Sequence, residues 1–197
     1  MADTPTRRAA AALTAAQDGA RTLGSAVGVL AVVHAVNAVL AYSLTSFGIV
    51  PRSIQGLAGI VAAPFLHGSW GHLLVNSVSL VLLGAFTMVR RRSDFWTVGA
   101  IGAFVSGLGT WLIGASGSVH VGASGVIFAY LGFLMARGWV ERSAGAILLS
   151  VLVTWLFGGM VWGVLPTVGA GISWEAHLFG FLGGILAARA LGSDSAS

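Results

Sequence analysis

Long apolar runs separated by short polar stretches constrain this chain more than any other feature of its sequence. The runs cover roughly residues 25–46, 71–89, 95–115, 122–140, 144–164 and 174–191. Each is close to the ~20 residues that a helix needs to cross a bilayer. Only 8% of the 197 residues are charged, against about a quarter in a soluble domain. We therefore expect an all-α membrane protein with about six spanning helices.

The arginines, which supply every basic residue, fall on one side of such a six-span arrangement, with Arg52 as the exception. The others are Arg7, Arg8, Arg21, Arg90, Arg91, Arg92, Arg137, Arg142 and Arg189. Basic residues beside spans favour the cytoplasmic side. We expect a multi-pass protein of the cell membrane with a cytoplasmic tail over 1–24, a six-span domain over 25–191 and a C-terminal tail over 192–197, both termini being cytoplasmic.

Composition also bears on partners and chemistry. Cysteine is absent, which excludes disulfides, thiol catalysis and cysteine-ligated metals. The arginines form no basic run interleaved with aromatic residues, so the lipid bilayer is an expected partner and nucleic acid is not. His67 and His120 could be ligands, but no tight metal-binding spacing appears, and no metal or other cofactor is predicted. The pattern leaves the oligomeric state open.

Small residues recur at helical spacing in the later spans. Gly122 and Gly125 open the fourth span, and Gly180 and Gly184 lie on one face of the sixth. Small side chains let helix backbones approach closely, which is how helices associate in lipid. We expect packing to explain most of this pattern, with the fourth and sixth spans touching each other or a common partner.

Four polar side chains lie near the outer ends of three predicted spans: His72 and Asn76 in the second, Ser124 in the fourth and His177 in the sixth. Polar groups in such places usually face the bundle interior or a water-filled cavity. A serine becomes a nucleophile when a base accepts its proton, and an imidazole is suited to that role. Asn76, His72 and the backbone N–H of Ser124 could stabilise an oxyanion. The set permits acyl transfer.

Each of these residues also has a purely structural interpretation. Serine, histidine and asparagine in membrane helices commonly bond their own helix or a neighbouring one. Their occurrence together, on three helices at one depth, favours the catalytic interpretation. Glu175 is expected on a different helix face from His177, so the sequence favours a dyad over a triad.

Three stretches resemble the motifs of the rhomboid intramembrane serine proteases. The segment HGSWGHLLVN over 67–76 is similar to the H-x4-H-x3-N of the second rhomboid span. The segment GASG over 122–125 is similar to the G-x-S-G that opens the fourth, and AHLFGFLGG over 176–184 to the A-H-x2-G-x3-G of the sixth. Their order and spacing agree, and the resemblance covers about residues 25–191. It implies a minimal, six-span rhomboid-like bundle.

The resemblance implies a role for each motif residue. Ser124 would be the nucleophile and His177 the general base, while His72 and Asn76 would help to form the oxyanion hole. The glycines of the third motif would let the sixth helix approach the fourth. Substrates would be single-span membrane proteins, cut in or near the membrane where their helix unwinds, because a hydrogen-bonded helix hides its carbonyl groups.

The resemblance also assigns the loops. Residues 48–70 would form an outer loop lying partly in the membrane, and the loop near 165–173 would act with the fifth span as a gate. Ala58 and Gly59 stand where some bacterial members have a Trp-Arg pair, so we expect this loop to be anchored differently, by Arg52 or Trp70.

Phe128 stands where some members have Tyr, and a Phe ring can still stack on an imidazole. Two other functions stay open. A non-catalytic rhomboid-like protein that binds membrane helices would typically lack the serine or the histidine, and both are present. A small transporter or channel would need ionisable groups at mid-membrane or paired half-helices, and the sequence shows neither.

Overall fold

The computed structural model describes residues 5–169 and 171–193, and over these residues the chain is helical and forms no β-strand. The α-helices are α1 (Pro5–Val39), α2 (Ile54–Ala62), α3 (Trp70–Thr87), α4 (Ser93–Ile113), α5 (Ser124–Glu141), α6 (Ala144–Phe157) and α7 (Trp174–Ser193). Short 3-10 segments cover Ser43–Phe47, Ala63–Phe65 and Gly158–Val164. The expected all-α bundle is confirmed, and the first outer loop contains the short helix α2.

Four helical segments of the described chain are long and apolar enough to cross a membrane: Ala9–Val39, Trp70–Thr87, Ser93–Ile113 and Ala144–Val164. The less apolar α5 and α7 form the most extensive helix pair in the bundle. Most of α5 is buried, and it also packs against α3, α4 and α6. A helix shielded by its neighbours does not have to match the lipid, so the chain is a multi-pass membrane bundle built around α5.

The first helix differs from the predicted span at both ends. It begins at Pro5, so the described part of the predicted 1–24 tail is helical and continues without a break into the span. It ends at Val39 rather than near residue 46, because Ala41 and Tyr42 adopt left-handed conformations with φ of 52° and 62°. The Asn37 side-chain oxygen accepts the Leu44 backbone N–H at 2.9 Å and stabilises this turn.

Glycines set the contact between α5 and α7. A Cβ at Gly180 would overlap the carbonyl oxygen of Gly125, and one at Gly184 would overlap that of Ala129. Ser106 of α4 adds a polar contact, because its hydroxyl donates to the Ala176 carbonyl at 2.8 Å. The two helices are therefore in backbone contact at Gly125–Gly180 and Ala129–Gly184, which fixes the position of His177 relative to Ser124.

Candidate active site

A cavity of about 810 Å³ lies at the end of the bundle where α3, α5 and α7 begin. Its lining includes His72, Asn76, Ser124 and His177. Ser124 is the first residue of α5, and the two histidines lie in the first turns of α3 and α7. The three sequence motifs therefore meet in one partly polar cavity, because the helices that carry them begin at the same end.

The His177 ring is held on two sides. Its Nδ1 lies 3.0 Å from the carbonyl oxygen of Gly163, and its face stacks on Phe128 with a centroid separation of 4.1 Å and an interplanar angle of 8°. A carbonyl oxygen only accepts hydrogen bonds, so Nδ1 must carry the proton. In the neutral ring Nε2 is then the basic nitrogen.

Ser124 lines the same cavity as this ring and is half-buried. As the first residue of α5 it has no partner for its backbone N–H within the helix. Among the described residues its hydroxyl forms no hydrogen bond with His177. Hydrogen bonds between catalytic groups are often long before substrate binds, so the arrangement is compatible with a nucleophile and base.

Gly122 lies beside His72 and Asn76 rather than in a contact between helices. The sequence groups it with the helix-packing glycines, but it lies in the loop before α5 with φ of +121°. A Cβ there would lie 2.7 Å from His72 Nε2 and 3.4 Å from Asn76 Nδ2. The missing side chain therefore leaves room beside two potential donors rather than between two helices. Asn76 Nδ2 is buried with no hydrogen-bond partner in the described structure, so its donor is available to a group in the cavity.

The family model described as the Rhomboid domain matches residues 55–194 of this chain, which includes all three motifs. The chain belongs to the rhomboid family.

Similar proteins occur in bacteria, plants and protozoa. The chain is 37% identical over 180 residues to uncharacterized protein Rv1337 of Mycobacterium tuberculosis, covering 88% of this chain and 75% of that protein. It is 29% identical over 145 residues to RHOMBOID-like protein 4 of Arabidopsis thaliana, covering 70% of this chain and 35% of that protein. It is 34% identical over 153 residues to Rhomboid-like protease 5 of Toxoplasma gondii, covering 68% of this chain and 16% of that protein.

In this rhomboid the outer loop is anchored through Arg52. Its guanidinium donates to the Leu112 carbonyl at 3.0 Å and to the Ser116 hydroxyl at 2.6 Å. The Trp111 indole donates to the Ser53 carbonyl at 2.8 Å. The loop is thus bonded to the end of α4, one of the two anchors that the sequence suggests. Trp70, the other, packs its ring edge-on against His34 at 4.5 Å.

The loop also holds the segment that precedes Ser124. Ile49 and His120 exchange two backbone hydrogen bonds of 2.9 Å each, and the Gly122 N–H donates to the Ala63 carbonyl at 2.9 Å. These bonds fix the entry into α5, so the first outer loop sets the position of Ser124.

His120 links the loop before α5 to Ser173 in the loop before α7, and both residues line the cavity. The sequence predicted no such contact. Its Nε2 lies 2.7 Å from the Ser118 hydroxyl and its Nδ1 lies 2.7 Å from the Ser173 hydroxyl. The Ser173 hydroxyl in turn lies 3.4 Å from a Glu175 carboxylate oxygen. Burial lowers the pKa of His120, and nearby Glu175 opposes that shift. No spacing pattern connects residues so far apart in the chain, which is why the contact is visible only in the fold.

Three histidine rings, those of His34, His67 and His72, pack edge to face in a row. The centroids of His67 and His72 are 5.0 Å apart, and those of His34 and His67 are 6.3 Å apart. Burial and the neighbouring His72 lower the pKa of His67 to about 4. The Phe65 backbone offsets part of this lowering, although it makes no hydrogen bond with the His67 ring. Within the described residues no group of three or more His, Asp or Glu side chains is arranged to hold a metal ion.

Proposed function

We propose that this rhomboid is an intramembrane serine endopeptidase that uses a Ser124–His177 dyad. The observation that carries the proposal is that Ser124, His177 and the unpartnered Asn76 amide line one cavity. The family itself accounts for the membrane fold, and this cavity supplies the groups that acyl transfer requires.

In the proposed reaction, His177 Nε2 accepts the Ser124 hydroxyl proton as Oγ attacks the scissile carbonyl carbon. The oxyanion that forms accepts hydrogen bonds from the Ser124 backbone N–H, Asn76 Nδ2 and a His72 ring N–H. His177 then returns the proton to the leaving amine as the C–N bond breaks, which leaves an acyl-enzyme. A water molecule, deprotonated by His177, releases the second product and restores Ser124.

The Gly163 carbonyl takes the place of the orienting carboxylate in this scheme. In a serine protease triad the acid holds the imidazole in the correct tautomer and stabilises the imidazolium. A carbonyl dipole does the first task fully and the second in part. Stacking on Phe128 adds orientation, so a dyad is sufficient to position the base.

We infer that the substrates are single-span membrane proteins cut at the cavity end of the bundle. The arginine distribution favours cytoplasmic termini, which would put this end of the bundle at the outer face. A spanning helix must unwind there before its carbonyl carbon can meet Ser124. Met160, Gly169, Gly171, Ile172 and Ser173 line the cavity, and the loop near 165–173, acting with the predicted fifth span over 144–164, is proposed as the gate.

The decisive comparison uses wild type and Ser124→Ala in proteoliposomes containing a model single-span substrate. We expect cleavage by wild type and none above background by the variant. Labelling of wild type but not the variant by a fluorophosphonate would identify Ser124 as the nucleophile. Undiminished cleavage by Ser124→Ala would exclude the proposed chemistry.

The second candidate function is a non-catalytic rhomboid-like protein that binds membrane helices. The observation in its favour is that the Ser124 hydroxyl and the His177 ring form no hydrogen bond in the described structure. Under that function a correctly folded wild-type protein would resist the fluorophosphonate and still retain a single-span helix in detergent. Labelling of Ser124 excludes it.

A further inference from the structure

A second cavity, of about 610 Å³, is lined mainly by α1, α2, α4 and α5, with Leu80 of α3, and shares no lining residue with the candidate active site. Its walls are apolar, with Val29 from α1, Leu80 from α3 and Trp96 and Phe104 from α4. Val29, Trp96 and Phe104 are 48%, 61% and 60% exposed. On spanning helices such exposure is to hydrocarbon, so the cavity is a groove open to the bilayer; we name it the lateral groove.

An ion-paired cluster borders one end of the lateral groove. The Asp18 carboxylate pairs with Arg92 at 2.6 Å and with Arg21 at 3.5 Å, which joins α1 to the start of α4. Arg21 and Arg92 each lie one helical turn before a lining residue, Ser25 and Trp96 respectively, and share its helix face. The cluster therefore lies at the end of the groove that is cytoplasmic in the orientation proposed above.

The cluster carries more positive than negative charge. Two guanidinium groups share one carboxylate, and the Arg21 and Arg92 side chains are 79% and 53% exposed. Each guanidinium has more donors than one carboxylate can occupy. The planar fork of an arginine side chain matches the oxygens of a phosphate group. The remaining donors are thus suited to an anionic phosphodiester.

The dimensions of the lateral groove distinguish between an acyl chain and a helix as its occupant. From Trp96 to Phe104 helix α4 rises about 12 Å, close to the ~15 Å of one hydrocarbon leaflet. A helix of that length, about 10–12 Å across with its side chains, would fill about 1,000 Å³ or more. The groove volume of about 610 Å³ is below that figure, which favours a slim lipid tail over a helix as its occupant.

We propose that the lateral groove binds one acyl chain of an anionic phospholipid from the cytoplasmic leaflet, with the phosphate held by Arg21 and Arg92. The apolar walls contact the chain along most of its length. The arginines give the site its preference for a net negative headgroup over a zwitterionic one.

The test is native mass spectrometry of the full chain released from micelles that contain phosphatidylglycerol or phosphatidylcholine with identical acyl chains. We expect one phosphatidylglycerol to be retained per chain, several-fold more often than phosphatidylcholine. Arg21→Gln and Arg92→Gln should each reduce that preference about fivefold, since one basic group near an anionic surface contributes about that factor. Arg91→Gln, which removes the same charge outside the cluster, should not.

Val29→Trp fills the groove from an exposed position and should lower retention of both lipids, whereas Leu148→Trp on the lipid-facing side of α6 should leave it unchanged. Equal losses of the phosphatidylglycerol preference in Arg91→Gln and Arg92→Gln would show that the preference depends only on overall charge. That result would overturn the proposal. Unchanged lipid retention in Val29→Trp, with loss of substrate cleavage, would assign the groove to a substrate segment and would equally overturn it.

Discussion

His177 Nδ1 donates a hydrogen bond to the carbonyl oxygen of Gly163, 3.0 Å away, in the segment that follows α6. The proposed base is therefore oriented by backbone rather than by a carboxylate. Because the acceptor belongs to the proposed gate, movement of that segment would also change the position of the ring. Under the proposed function, orientation of the base and entry of substrate are therefore coupled through one hydrogen bond.

The Phe128 ring is the second support of His177. Phe128→Ala should lower kcat about fivefold or more, because a stacked aromatic pair contributes about 1 kcal/mol. Phe128→Tyr keeps the ring and should retain most of the activity. The measurement is kcat and KM on a single-span substrate in proteoliposomes. A KM increase at constant kcat would instead indicate a role in substrate binding.

Substitution of Asn76 can distinguish an oxyanion donor from a residue that only connects helices. Asn76→Ala should lower kcat about 100-fold or more, the usual effect of losing one oxyanion donor. Its Nδ2 has no partner in the described structure, so the thermal unfolding midpoint in detergent should hardly change. If Asn76 instead connects helices, the midpoint will fall and the variant that still folds will keep its kcat.

The loop before α5 offers a matched glycine pair. A Cβ in Gly122→Ala would lie 2.7 Å from His72 Nε2, whereas nothing lies within 4 Å of a Cβ at Gly117, which also has positive φ (+79°). Both variants strain the backbone, but only Gly122→Ala should obstruct the oxyanion donors and abolish fluorophosphonate labelling. Loss of labelling in both variants would attribute the effect to backbone strain alone.

The close approach of α5 and α7 can be tested at Gly180. Its Cβ would overlap the Gly125 carbonyl oxygen, so Gly180→Ala should destabilise the bundle by about 1–3 kcal/mol, as overpacking does. Gly145 of α6 has no atom within 4 Å of its Cβ position, and Gly145→Ala should stabilise slightly because alanine favours helix. Unfolding midpoints in detergent measure both. A Gly180→Ala midpoint equal to wild type would contradict the close approach.

The buried His67 predicts a pH effect on stability. Its pKa is lowered from 6.5 to about 4 in the folded chain, so between these values the unfolded chain binds more protons. Stability is fully present above pH 6.5 and is lost as the pH falls toward 4. His67→Phe should reduce the slope of unfolding midpoint against pH without removing it, because burial also lowers the pKa of His120. An unchanged slope would show that His67 does not titrate on unfolding.

Much of this fold follows from apolar length and spacing, because lipid allows few alternatives to a helix. The motif residues Ser124, His177, His72 and Asn76 could be assigned to one cavity because spans alternate in direction. Arg52 was one of two anchors suggested because Ala58 and Gly59 replace the Trp-Arg pair of some rhomboids. These inferences need only local sequence, the geometry of a bilayer and the family resemblance.

Contacts between distant loops could not be predicted in this way. The link from His120 to Ser173 depends on how two irregular segments fold over the cavity, and no periodicity describes them. The role of Gly163 is similar, since any residue offers a carbonyl oxygen and only the fold determines which one faces His177. The left-handed turn at Ala41 and Tyr42, which ends α1 early, also lacks a glycine that would mark it.

The backbone contact between α5 and α7 has a consequence for synthesis. Ser124 comes from α5, but His177 and the Gly180 surface that packs against Gly125 come from α7, the last helix described. During synthesis the earlier spans enter the membrane before His177 does. Under the proposed function, the order of helices along the chain delays assembly of the dyad until α7 has been inserted, so a growing chain has no activity of its own before that point.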